Sequence, residues 1–224
     1  MTHGQTRIET GNSLQGPAAP VVKRLQARFS GPILKVAVCL AVAGIIAIGY
    51  AVDRHKTLYH FRTVDPGKLY RSGTLSRRGL EKVYSMTGVK TIINLRSESE
   101  MSDGSWYSRE KEFAAEKGIH LLDLPMLPDT PPTPDQVRQF LDVVTDPERL
   151  PALIHCEMGI IRTGMMVAVY KVYVLNEESR KVLAELPMFG RTLDDRLAVK
   201  EFIVNFTPNS GSGPAPLKTS QDGL

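Results

Sequence analysis

The stretch "LIHCEMGIIRTG", residues 153–164, decides the reading of this chain. Leu153, Ile154 and His155 end an apolar segment of strand character, and "RTGMMVAVYKVYVL" after them is apolar on nearly every side, as in a helix buried behind a sheet. A strand that runs through a short loop into a helix places the loop at the carboxyl edge of the sheet, where open α/β folds bind ligands. Successive amides there, with the first turn of the helix, favour an anion. The same field favours a thiolate at Cys156, Arg162 adds a planar fork for two oxygens, and Gly159 lets the turn close. Together these residues describe a nucleophile in a phosphate-sized cradle.

Outward from the loop, strand and helix patterns alternate. "KLYRSG" reads as a short strand or edge, "SRRGLEKVYSMTG" as a helix closed by Gly88, and "KTIINL" as a buried β-branched strand. "WYSREKEFAAEKG" reads as a helix ending at Gly118, and "IHLLDLP" as the next strand. Thr133, Pro134 and Gln136 supply an N-cap, a first-turn proline and a capping-box glutamine for the helix in "DQVRQFLDVV". "NEESRKVLAEL" and "TLDDRLAVKEFIVNF" read as closing amphipathic helices. The expected fold class is α/β: a mostly parallel central sheet flanked by helices.

His155, Cys156, Glu157, Met158, Gly159, Ile160, Ile161, Arg162, Thr163 and Gly164 together resemble the H-C-x-x-G-x-x-R-[ST]-G signature of cysteine-dependent protein tyrosine and dual-specificity phosphatases. "LYRSG" at residues 69–73 and "IINLRSE" at residues 92–98 are similar to the compact atypical dual-specificity branch. The resemblance implies that Cys156 attacks phosphorus to give a phosphocysteine. It also implies that Arg162 and the amides of residues 157–162 hold the equatorial oxygens, and that Thr163 hydrogen-bonds the sulfur. An aspartic acid on a separate loop would protonate the leaving oxygen, and Asp129 in "LPDTPPTP" is the candidate. Asp123, in a strand, and Asp135, in a first helical turn, read more simply as structural. His155 reads as a support bonded to loop backbone, and Arg71 and Arg96 as braces that reach carboxylates. Ile160 and Ile161 stand where phosphoinositide-directed relatives often carry lysine, and Glu157 adds a negative charge. A polyanion would therefore find one arginine and no helper, which points to monophosphate esters. The mechanism implied needs no cofactor and no metal.

The net charge of +4 divides unevenly: residues 1–56 hold seven Lys/Arg against Glu9 and Asp53, leaving 21 basic and 22 acidic residues beyond them. A near-neutral domain offers no electrostatic footprint for nucleic acid. Cys39 and Cys156 are too few for a disulfide framework or a zinc site. Residues 36–52 form an uninterrupted run of 17 apolar or small residues, extended by residues 31–34 if Lys35 snorkels. The expected organisation is a basic arm over residues 1–30, a membrane-spanning helix over 31–52, a phosphatase-like domain over 53–206 and a tail over 207–224. A single-pass protein in contact with lipid follows, its domain weakly favoured on the extracytoplasmic side, with a buried soluble helix and a cleaved signal peptide as alternatives. The expected substrate is a phosphorylated protein or a small phosphomonoester. The competing readings are a phosphate-binding module that recruits a phosphorylated partner, and a sulfur-transfer or arsenate-reducing enzyme.

Overall fold

The computed structural model describes residues 31–102 and 104–208. The arm over residues 1–30 and nearly all of the expected tail lie outside them. Helix α1, Pro32–Thr57, continues past the predicted end of the apolar run. Its segment Leu34–Thr57 is long and apolar enough to cross a membrane by length and composition. At a rise of about 1.5 Å per residue such a helix exceeds the roughly 30 Å of a hydrocarbon core.

From Val52 onward the chain forms a compact unit of its own. Its elements are β1 (Arg62–Asp65), β2 (Leu69–Ser72), α2 (Arg77–Thr87), β3 (Thr91–Asn94), α3 (Glu98–Ser102), α4 (Ser105–Lys117) and β4 (His120–Asp123). There follow α5 (Pro134–Val144), β5 (Ala152–His155), α6 (Ile161–Tyr173), α7 (Ser179–Glu185) and α8 (Leu197–Asn205). The sheet order is β1-β2-β5-β3-β4. All neighbours are parallel except β1, which pairs antiparallel with β2 at the edge. The fold is therefore the expected α/β one, and β5 lies at its centre with all four residues buried.

Alternation along the strands divides the core in two. Ile92 and Leu153 pack with Leu80, Val83 and Phe113 under α2 and α4. Ile93 and Ile154 face the opposite way, into a larger cluster with Phe140, Leu141, Met165 and Tyr170 under α5 and α6. The helix stops are those the sequence signals. Gly88 and Gly118 close α2 and α4, and Thr133 with Gln136 forms a reciprocal capping box at α5.

"KLYRSG" holds the short strand expected, and the edge alternative falls away: β1, with only Val64 as an apolar residue, takes the edge and makes β2 an interior strand. One expectation changes. The last helix begins at Leu197, because "TLDDR" folds as turns in which the Arg196 amide bonds Leu193 O and the Asp194 amide bonds Thr192 Oγ1. That shortening leaves Arg191 and Arg196 on a loop rather than on a helical face.

Candidate active site

The carboxyl ends of β2, β5 and β3 converge on the loop of residues 156–160, and a donor from outside binds each of its five carbonyls. Cys156 O accepts from Thr74 Oγ1 at 3.2 Å, and Glu157 O from the Thr74 amide at 2.9 Å. Met158 O lies 2.7 Å from His60 Nδ1, which must carry the proton there, and Arg71 Nη2 donates to Gly159 O at 2.5 Å and Ile160 O at 3.4 Å. With the carbonyls drawn outward, the alternating peptide units turn amides inward, and the Gly159 amide bonds Cys156 Sγ at 3.2 Å. Helix α6 follows directly, and its N-cap residue Ile160 offers no side-chain cap, so its first turn faces the loop with the Thr163 amide on the Cys156 sulfur. Gly159 has φ +70°, and a Cβ there would overlap the Ser72 carbonyl. Glycine at this position is what lets the loop close against β2.

Cys156 is buried. Burial pushes its thiol up, but the Thr163 hydroxyl and amide, the Arg162 charge and the Gly159 amide outweigh it and hold the group below its ordinary value. Thr163 Oγ1 is buried and, among the described residues, meets no polar group besides the Cys156 sulfur. Arg162 is held in a fixed pose: Nη1 and Nη2 reach the two oxygens of Glu100 at 2.5 and 3.1 Å, and Nη1 also meets Met126 O at 3.2 Å. Glu100 in turn accepts from Arg96 Nε at 3.0 Å and from the amide and hydroxyl of Ser97, both at 2.8 Å. Burial raises its carboxyl, yet Arg162 and the two Ser97 donors bring it down to about 2. Sequence reading missed Glu100; its spacing of four from Arg96 was visible, but nothing in the sequence tied it to Arg162.

His155 meets the loop backbone as expected and is itself held by a carboxylate. Its Nε2 lies 3.0 Å from Glu110 Oε1, and its Nδ1 a distant 3.4 Å from Cys156 O. Burial lowers the imidazole, but the Glu110 charge and hydrogen bond raise it more. The Glu110–His155 pair thus sits behind the candidate nucleophile. Arg96 does brace through a carboxylate, and its guanidinium also lies 4.1 Å over Trp106. Arg71 braces through the two carbonyls instead; burial, the main effect, lowers it to about 10.

Cys156, Glu157, Arg162 and Asp129 line one cavity of about 140 Å³, together with Met158, Ile160 and Ile161 of the loop. Asp129 has φ +57°, and its Oδ1 accepts from Arg196 Nε at 2.6 Å. Asp123 bonds Asn94 Nδ2 at 2.8 Å and the Tyr107 hydroxyl, and Asp135 binds Arg138 and Gln139 on its own helix. Arg191 and Arg196 line the same cavity. This corrects the expectation of one arginine and no helper, since no spacing rule links residues near 190 to the loop at 156. Among the described residues no group of three or more His, Cys, Asp or Glu could hold a metal ion.

A family model described as "DSP-PTPase phosphatase fused to NAD+ Kinase" matches residues 55–202. The chain belongs to this family. It carries a cysteine-based phosphatase domain of the dual-specificity type. Among curated proteins it is similar to probable NAD kinase 2, chloroplastic, of Oryza sativa subsp. japonica, 35% identical over 109 residues that make up 49% of this chain and 11% of that protein. NAD kinase 2, chloroplastic, of Arabidopsis thaliana is 28% identical over 120 residues, 53% of this chain and 12% of that protein. The matches thus span about a tenth of these relatives' length. The core catalytic domain of the PP-IP phosphatase SIW14 from S. cerevisiae shares the fold with TM-score 0.57 and 21% identity, over 67% of this chain and 86% of that one. TpbA from P. aeruginosa gives TM-score 0.54 and 21% identity, over 69% and 89%.

Proposed function

We propose that this chain is a membrane-anchored phosphatase that hydrolyses phosphomonoesters, phosphotyrosine or other phosphoprotein esters foremost, through a phosphocysteine intermediate. The observation that carries the reading is Cys156: a thiol held below its ordinary value, inside a loop whose amides face it and beside a fixed Arg162. Cys156 Sγ attacks phosphorus, the ester P–O bond breaks, and Asp129 gives its proton to the leaving oxygen. Water then attacks the phosphocysteine, passing a proton to Asp129, and the S–P bond breaks to return the thiolate. The Thr163 hydroxyl assists that departure by donating to the sulfur. Arg162 and the loop amides stabilise the equatorial oxygens as charge redistributes. Helix α1 is the anchor, by its length and apolarity.

The test uses the full chain, extracted in detergent from a washed membrane fraction, with an aryl phosphate as substrate and chelator present. Turnover should vanish in Cys156→Ser and fall about a hundredfold in Asp129→Ala, the usual scale for a lost general acid. Turnover that survives in Cys156→Ser sinks the mechanism. No turnover in the parent chain, with vanadate still bound, favours instead a module that recruits a phosphorylated partner. Recovery of the chain in the soluble fraction sinks the anchor.

A further inference from the structure

We infer that Arg191 and Arg196 form a second anion subsite at the mouth of the cavity. The preferred substrate is then a phosphomonoester with a second anionic group, phosphate or carboxylate, within reach of them. This rests on the phosphatase reading and narrows its substrate class. Arg162 is engaged by Glu100 at the base of the cavity, and the mouth carries Asp129 and Glu157. An incoming phosphate dianion therefore meets two carboxylates at the rim, and Arg191 and Arg196 are the cations that offset them there. Among the described residues no carboxylate lies within ion-pair distance of the Arg191 guanidinium, and Asp129 is the one carboxylate paired with Arg196, whose Nη1 also donates to Thr192 O at 3.4 Å. A cationic group with no carboxylate partner at a catalytic mouth fits an anion supplied by the ligand.

The pairing of Arg196 with Asp129 couples this subsite to the chemistry. Half of the Asp129 side chain is exposed, and an ion pair so solvated is weak and readily exchanged. The second anion of the substrate can therefore take Arg196 in exchange for Asp129.

The experiment compares phenyl phosphate with 1,4-phenylene bisphosphate in the full chain. The kcat/KM ratio, corrected twofold for the two equivalent esters, should favour the bisphosphate by about tenfold, the scale of a charge-assisted hydrogen-bonded pair at a partly wet site. The preference should shrink in high salt. Arg191→Ala and Arg196→Ala should each bring the ratio toward one, and Arg191→Lys should restore part of it. Calorimetric binding of the same two probes to Cys156→Ser reads the preference without turnover. A corrected ratio near one in the parent chain, or a preference that both alanine variants keep, overturns the subsite. Absence of phenyl phosphate turnover sinks the catalytic reading instead, and the binding preference then still decides the subsite. Phosphotyrosine peptides with glutamate or alanine flanks tell whether a protein can supply the second anion: a tenfold gain for glutamate, lost in Arg191→Ala, says that it can.

Discussion

Replacing Glu100 by glutamine tests how the arginine of the loop is held. The carboxylate accepts from both terminal nitrogens of Arg162, from Arg96 and twice from Ser97. Glutamine keeps one acceptor oxygen and turns an amide N–H₂ toward donors, so at least one of these groups loses its partner. Holding the carboxyl at about 2 rather than 4.5 would contribute at most about 3 kcal/mol at pH 7. A fifth of the side chain is exposed, and solvent screening reduces the expectation to about 1–2 kcal/mol. For a domain of this size that lowers Tm by about 3–6 °C. The group is depressed, so its contribution is complete above its ordinary value and is lost as pH falls through the folded one. The gap between parent and variant should therefore be full at pH 7, shrink to about two fifths at pH 3, and close near pH 2. With Arg162 no longer fixed, kcat/KM for an aryl phosphate should fall about tenfold or more. The assays are thermal melts of the full chain in detergent at the two pH values, and steady-state kinetics at pH 7. A variant that melts within 1 °C of the parent at pH 7, or a gap unchanged at pH 3, refutes the reasoning about the ion pair. Unchanged kcat/KM refutes the role of Glu100 in presenting Arg162.

Gly159→Ala should cost about 2–4 kcal/mol and abolish measurable turnover, because the Cβ would overlap the Ser72 carbonyl at a φ of +70°; urea unfolding and aryl phosphate kinetics check both parts, and a stable, active variant would mean the loop can close elsewhere. Thr163→Val removes a hydroxyl that helps hold Cys156 below its ordinary value. The acidic limb of its kcat/KM profile should move to higher pH, and a phosphoenzyme burst should become visible as the second step slows. A profile that stays in place would show that Arg162 and the loop amides alone set the thiol.

The loop at residues 156–164 was legible because its chemistry is contiguous. A strand, a turn with glycine, an arginine and a helix start fall within a dozen residues, and backbone sterics with amide dipoles act over that range. The capping box of α5 and the glycine stops of α2 and α4 are local for the same reason. Periodicity gave the buried strands β3 and β5. It could not give β1, whose four residues owe their conformation to pairing with β2.

The residues that complete the site act through space. Thr74, His60 and Arg71 hold the loop carbonyls from 82 to 98 positions away, and Glu100 meets Arg162 across 62. None of these pairings has a spacing signature, because their separation along the chain is fixed by the order of strands in the sheet. The sequence by itself determined the candidate nucleophile, the loop proposed to cradle it and the α/β class, since those rest on local steric and electrostatic preferences. Only the tertiary structure decided what orients Arg162, what lies behind His155 and which arginines share the cavity with Asp129. Those are contacts made when β2, β3 and β5 bring their carboxyl ends together.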